Sequence, residues 1–335
     1  MKSLRWLPDP FVLLIVMVVL LASLSPVYGE GARWFHYLTQ GAIALLFFMH
    51  GAKLSSQQVR SGLSQWRLHL TVFACTFAIF PLLGWLLSPL FKALVGQGLT
   101  LGLLFLCALP STVQSSIAFT AMARGNVAAA VCSAATSSLL GVFVTPLLVM
   151  LMFGVHGDFA LGDAVVQVAL QLLVPFALGQ FARRWIGVWV QLHRNWLKQV
   201  DNSSILLVVY GSFSAAVVGG IWQKVDIGHL TVLTGLCAAL LAMVFAITLF
   251  LGRALGFEQA DSKTLFFCGS KKSLTTGIPL ANVLFPAASV GLIILPTMLF
   301  HQLQLLACAY LARRWGERDG EDDASSRKPE AFCHQ

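Results

Sequence analysis

The chain is built of long apolar runs separated by short polar stretches. A helix that crosses the hydrocarbon core of a bilayer needs about 20 mostly apolar residues. Ten runs are of about that size or longer: residues 10–28, 38–55, 66–88, 98–124, 127–154, 164–185, 202–222, 228–251, 261–286 and 288–312. The pattern predicts an all-α polytopic membrane protein of ten transmembrane helices joined by short loops.

Two of these runs are interrupted near their centres. Run 98–124 contains Cys107-Ala-Leu-Pro110-Ser111-Thr112-Val113-Gln114-Ser115-Ser116. Run 261–286 contains Cys268-Gly-Ser270-Lys271-Lys272-Ser273-Leu274-Thr275-Thr276-Gly277-Ile278-Pro279. Proline removes a backbone donor and disfavours helix in the residue before it, so Pro110, Gly277 and Pro279 are the expected helix breaks. In lipid, freed backbone groups are tolerated only where protein or a water-filled cavity satisfies them. The resulting half-helix N-termini favour anions and the C-termini favour cations.

A shift of 161 residues superimposes the first five runs on the last five. Run 98–124 lands on 259–285, run 127–154 on 288–315, and Pro110 on Lys271. Five is an odd number of spans, so the two halves insert in opposite senses. Inverted repeats with matched broken helices at mid-membrane are the pattern of secondary transporters. The expected organisation is a first five-helix repeat at 1–155 and a second, inverted one at 156–314. Residues 315–335 are charged, poor in apolar groups, and expected to be a disordered cytoplasmic tail.

Lys271 and Lys272 are the conspicuous charges. The 14 carboxylates all lie in loops, at span ends or in the tail, so no deep acid neutralises the pair. A lysine at mid-membrane costs about 2.5–3.5 kcal/mol on the insertion scale. Snorkelling relieves that only near a span end, and these residues lie roughly 15 Å of helix inside one. Adjacent helical residues point about 100° apart, so both face one cavity only if the helix unwinds. Four readings stay open: a site for a substrate anion, a built-in cation in place of a metal ion, a proton-exchanging lysine, or a lysine tied to backbone carbonyls.

Neighbouring polar faces fit a cavity. Ser133, Thr136 and Ser137 share one helical face, as do Thr297, His301 and Gln304, with Gln302 beside them. The candidate substrate- or ion-binding set is therefore Lys272, Lys271, Ser273, Thr275, Thr276, Gln114, Ser115, Ser116, Ser133, Thr136, Ser137, His301 and Gln302. A sodium ion beside Ser115 and Thr136 is an alternative occupant.

Composition agrees with a lipid-solvated chain: 57% hydrophobic and only 11% charged, against about a quarter charged in soluble domains. The net charge of +8 does not indicate nucleic acid, because the lysines and arginines sit in loops beside spans. Outside the membrane-embedded pair, all of them fall on the side of the N-terminus except Arg33, Lys92 and Lys224. The positive-inside rule then places both termini in the cytoplasm. Lys2, Arg5 and the run Phe11–Leu24 resemble a signal peptide, but the repeat requires this segment as its first helix. Six of the 7 cysteines lie within apolar runs with no metal-ligand spacing. No cofactor is implied, and no H-E-x-x-H, G-x-S-x-G or P-loop pattern suggests an enzyme.

The chain resembles the bile acid:sodium symporter superfamily, most closely its bacterial SBF-like branch of YfeH-type symporters. The stretches that carry the resemblance are Ala44–Leu54, Ala123–Ala128, Cys268–Leu274 with Gly277-Ile-Pro279, and Phe300-His-Gln302. The resemblance implies two inverted five-helix repeats, with broken spans 4 and 9 crossing. It also implies a panel domain of spans 1, 2, 6 and 7 packed on a core domain of the others, in a bacterial inner membrane. Sodium-coupled members bind ions near the crossing through an acid and a Gln in span 9 and Ser/Asn in span 4. This sequence has Cys268 and Lys272 at the first two positions. Ser115 or Ser116 keeps the third, without the following Asn.

The leading expectation is therefore a secondary active transporter of a small organic anion, with Lys272 as a fixed cation or proton site. The alternatives are a sodium-coupled symporter of the bile acid type and a non-transporting membrane regulator with a transporter fold.

Overall fold

The computed structural model describes residues 10–53, 65–153, 174–220 and 226–326, and all regular structure among them is helical. The helices are α1 (Pro10–Leu24), α2 (Gly29–Lys53), α3 (Trp66–Ala108), α4 (Gln114–Met122), α5 (Val127–Phe153), α6 (Val174–Leu192), α7 (Arg194–Val218), α8 (Ile227–Ala254), α9 (Gln259–Gly269), α10 (Leu274–Leu284) and α11 (Ala287–Ser326). Among the described residues, four helices are long and apolar enough to cross a bilayer: α3, α5, α8 and α11 as far as Arg318.

The helices do not follow the ten apolar runs one for one. Runs 98–124 and 261–286 are each split, into the end of α3 plus α4 and into α9 plus α10. The loop expected between runs 66–88 and 98–124 is reduced to a sharp break within α3, which is two helical stretches joined across a non-helical residue. The bend between its two parts is at Gly96, with φ 74° and ψ 173°, a backbone region that glycine enters without steric cost. Run 202–222 is covered by α7 as far as Val218. The first part of run 164–185 lies outside the described residues.

Local sequence sets the element ends. Asp226 caps α8, its carboxylate accepting from the His229 backbone N–H at 2.7 Å. That bond, with a second from the His229 ring, holds the Asp226 carboxyl below the usual carboxylate range. The tail departs from expectation. α11 runs on to Ser326 instead of ending before residue 315. Trp315 accounts for the first part of that extension, packing against Phe266 and Phe267 at 4.9 and 5.5 Å between ring centroids. Arg313 donates to Glu317 one turn on. Residues 327–335 lie outside the described set.

Packing falls into two neighbourhoods. α2 lies along α6, and α1 along α7, which also touches α2. The remaining helices pack around α3 and α11, and α7 also lies along α11, as closely as it does along α2. Phe80, Phe91, Leu103, Leu240 and Phe300 form one apolar cluster there. A second cluster joins the neighbourhoods through Phe47, Phe105, Val208, Phe213 and Ile293. The outer surface carries exposed Leu20, Trp85, Leu147, Leu151 and Phe250, as expected where the solvent is hydrocarbon.

Lipid supplies no hydrophobic drive between helices, so close packing of small residues must hold them together. The α2–α6 contact shows this reciprocally. A Cβ on Gly51 would collide with the Phe176 carbonyl, and one on Gly179 with the Phe48 carbonyl. Gly51→Ala and Gly179→Ala are expected to destabilise the protein by about 1–3 kcal/mol each through overpacking. Gly41→Ala, in the same helix α2 with open space at its Cβ, should be neutral or stabilise by up to about 1 kcal/mol. Thermal unfolding of the three purified variants in detergent checks the contrast.

Candidate functional site

The site is assembled from two helix breaks. α3 ends at Ala108; Leu109 turns extended (φ −69°, ψ 152°) in front of Pro110, and α4 restarts at Gln114. α9 ends at Gly269, residues 271–273 are irregular, and Ser273 caps α10 by accepting from the Thr276 N–H at 3.2 Å. Pro110 breaks its helix as expected. Gly277 and Pro279 do not, because both lie inside α10. Pro279 is the sixth residue of α10 and removes one i→i−4 bond there without ending the helix. Gly277 instead admits Leu109, whose Cδ1 leaves no room for a Cβ there.

Each break frees carbonyls that must find donors away from water. At the first break the carbonyls of residues 107–110 all have partners. Cys107 O and Leu109 O each accept from Lys272 Nζ at 2.7 Å. Ala108 O accepts from Thr145 Oγ1 at 2.9 Å, and Pro110 O from the Ser273 N–H at 2.9 Å. Lys272 Nζ makes its third bond, 2.8 Å, to Thr76 O. An ammonium has three N–H donors, and these three carbonyls use all of them. The Phe80 ring covers its remaining side at 4.1 Å.

Thr76 O is available because of its own helix. Cys75–Ile79 is a π-helical turn, in which the Phe80 N–H bonds to Cys75 O instead of Thr76 O. The next residue that could reach Thr76 O is Pro81, which has no N–H. The lysine backbone is fixed too. Gln304 accepts from the Lys272 N–H and donates to the Lys272 carbonyl, both at 2.9 Å, and its amide lies 2.8 Å from His301 Nδ1.

At the second break hydroxyls replace the ammonium. Ser111 Oγ donates to Cys268 O at 2.6 Å, and Ser116 Oγ to Phe267 O at 3.1 Å. Ser111 and Lys272 stand 161 residues apart, and so do Cys107 and Cys268. Lys272 on Cys107 O and Ser111 on Cys268 O are thus one contact made from both sides of the offset.

Lys271 is handled differently. It is as fully buried as Lys272, yet its Nζ has no hydrogen-bond partner among the described residues. It sits 3.9 Å from the centre of the Phe119 ring and 5.7 Å from that of Phe267. A desolvated cation–π contact is worth about 2 kcal/mol, the main compensation visible for that side chain. The unwound segment lets adjacent lysines point to different surroundings.

The other candidates separate into several groups. Ser137 Oγ accepts from the Ser111 N–H at 3.1 Å, and Ser133 Oγ lies 2.6 Å from His69 Nδ1. Thr112 and Ser115 pair at 2.8 Å beside Ser116. Ser273, Thr275 and Thr276 form a hydroxyl group at the start of α10, with Thr275 exposed. Thr136 and Gln302 are half-buried. The Gln114 side chain lies outside the described set. The candidate list omitted Thr76, Phe80, Pro81, Phe119, Thr145 and Gln304. Of these, Phe80-Pro81 inside an apolar run was the visible signal, because a mid-helix proline always orphans a carbonyl.

Lys272→Met would leave three buried carbonyls without donors and is expected to cost about 3–5 kcal/mol of stability. Lys272→Arg should not rescue it, because a planar guanidinium cannot reach three carbonyls arranged around a point. Lys271→Met loses no hydrogen bond and should melt close to wild type. Unfolding temperatures of the three variants test this ranking.

Residues 9–317 match the SBF-like CPA transporter family. The uncharacterized protein PA2026 of Pseudomonas aeruginosa is 55% identical over 328 residues, covering 98% of each chain. YfeH of Escherichia coli (strain K12) is 53% identical over 315 residues, 94% of this chain and 95% of its own. Sodium/bile acid cotransporter 7 of Danio rerio is 28% identical over 307 residues, 88% of this chain and 90% of its own. An all-helical chain with apolar spans, matched over nearly its whole length to a transporter family, belongs to the SBF-like CPA transporter family.

Proposed function

We propose that the protein is a secondary active transporter of a small organic anion, working by alternating access around the two helix breaks. Lys272 acts as a fixed cation. The observation that carries this is the saturation of its ammonium by Thr76, Cys107 and Leu109 carbonyls. Carbonyls at a helix C-terminus form a cradle for a cation, and a mobile metal ion would suit it. The lysine fills it permanently. Its charge belongs to the resting scaffold, and the transported anion must find its donors elsewhere.

Lys271 supplies those donors. Its three N–H groups have no acceptor among the described residues, and the half-helices α4 and α10 begin beside the breaks with anion-favouring ends. Ser115, Ser116, Ser273, Thr275 and Thr276 surround the same breaks with hydroxyls.

The proposed architecture is ten spans in two inverted repeats, with both termini in the cytoplasm of a bacterial inner membrane. A panel of α1, α2, α6 and α7 rocks against the core. The paired contacts 161 residues apart, and the packing of α2 on α6 and of α1 on α7, support it.

A second reading is sodium-coupled symport, favoured by the name of the Danio rerio relative and by the neutral oxygens of Thr112, Ser115 and Thr136. The two readings separate on a panel of monocarboxylates, dicarboxylates and bile acids, scored by thermal unfolding and then by uptake into proteoliposomes. We expect at least one anion to stabilise wild type without sodium, and Lys271→Met to lose that response while keeping its own melting temperature. A full anion response in Lys271→Met would contradict the assignment, and an absolute sodium requirement would favour symport with sodium.

A further inference from the structure

The Gln304 amide fixes where the proton sits on His301. Gln304 is fully buried in α11, one turn beyond His301 and near the middle of run 288–312. Its Oε1 accepts from the Lys272 N–H at 2.9 Å, which sets the orientation of the amide. Its Nε2 donates one hydrogen to the Lys272 carbonyl at 2.9 Å and directs the other at His301 Nδ1, 2.8 Å away. An amide nitrogen donates and does not accept. Nδ1 therefore holds the lone pair, and His301, 9% exposed, is neutral with its proton on Nε2. A second proton, arriving at Nδ1, would set N–H against N–H. Turning the amide over gives no relief, because Nε2 would then face the Lys272 N–H and Oε1 the Lys272 carbonyl. The imidazolium form is compatible only with an opened lock, and that lock holds the Lys272 peptide at the second break.

We propose that His301 is a proton-binding site that releases this lock, and that its proton travels with the transported anion. The second clause rests on the transport reading above. An imidazolium here joins the ammonium groups of Lys271 and Lys272 at one buried crossing, which is unfavourable until an anion arrives. Proton and anion then raise each other's affinity, as linkage requires. The helices packed on α11 bring few other titratable groups to this level. α3 and α8 present the thiols of Cys107 and Cys237. Their charged residues, Arg67, His69 and Lys92 on α3 and His229 and Arg253 on α8, lie toward helix ends or the Gly96 bend. α4 and α10 carry no charged residue, and α11 itself adds Cys308 before Arg313. On α7 the charged residues are Arg194, Lys198 and Asp201, whose side chains lie outside the described set, and Tyr210 donates to Ser25 O.

The test uses the full-length protein. Backbone hydrogen exchange over residues 270–276 is followed in detergent at about pH 8 and about pH 5.5, corrected for intrinsic rates. The wild-type Lys272 amide should lose protection roughly tenfold at the acid pH, the equivalent of one hydrogen bond. His301→Gln keeps an acceptor for the Gln304 amide and has no titrating group, so its protection should be equal at both. In the second arm, proteoliposomes loaded with a pH-sensitive dye receive succinate, lactate or taurocholate, with protein-free vesicles as the blank. Wild type should acidify the lumen with at least one of them. His301→Gln should still exchange that anion without acidification. Wild-type protection that ignores pH, or a pH response that survives in His301→Gln, overturns the site. Anion uptake without acidification overturns the coupling and leaves the transport reading standing. Acid loosening without uptake of any of the three upholds the site and counts against the transport reading.

Discussion

The structure depends on one ammonium group. Lys272 Nζ takes three main-chain carbonyls, one from a π-helical turn and two from the broken end of the same long helix. None of those carbonyls has a helical donor, and none can reach water, because the lysine and its neighbours Cys107 and Leu109 are fully buried. Without a donor the first break would leave orphaned acceptors in a medium where each costs several kcal/mol. Without the break the lysine would be an uncompensated charge at mid-membrane. Each defect removes the cost of the other, which is why both persist in a chain otherwise selected to be apolar.

The same arrangement explains how two adjacent lysines coexist. Lys272 is anchored at both ends, its side chain by carbonyls and its peptide by Gln304. That anchoring holds the segment unwound and sends Lys271 the other way, toward Phe119 and Phe267. One lysine is part of the scaffold. The other retains unused donors, and that asymmetry supports the division between a fixed cation and an anion-binding group. The second break repeats the scheme with serine hydroxyls, so the two half-sites are alike in position but differ in charge.

Much of this was legible in the sequence because hydrophobic runs and charges in lipid leave few alternatives. The helical class, the Pro110 break and the burial of Lys271 and Lys272 followed from composition and spacing. What could not be read was direction. Lys272 looked like the group facing a ligand, and only coordinates reveal that its donors are spent on Thr76, nearly two hundred residues earlier in the chain. Gly277 and Pro279 looked like breaks, yet the true interruption lies at 270–273, where the lysines themselves end the helix. The π-helical turn carries no compositional mark except Pro81. The tail misled because its charge suggested disorder, whereas Trp315 docks its first part on α9.

The central claim is that Lys272 stands where a cation would otherwise bind. Removing the side chain should empty the cradle and leave its carbonyls in place. Thermal unfolding of wild type and Lys272→Ala across a sodium series, at constant ionic strength with choline as the balancing cation, tests this directly. The account predicts that wild type is indifferent to sodium, whereas Lys272→Ala is destabilised and recovers part of the loss as sodium rises. Sodium-dependent stabilisation of wild type, or a Lys272→Ala variant as stable as wild type without sodium, would contradict it.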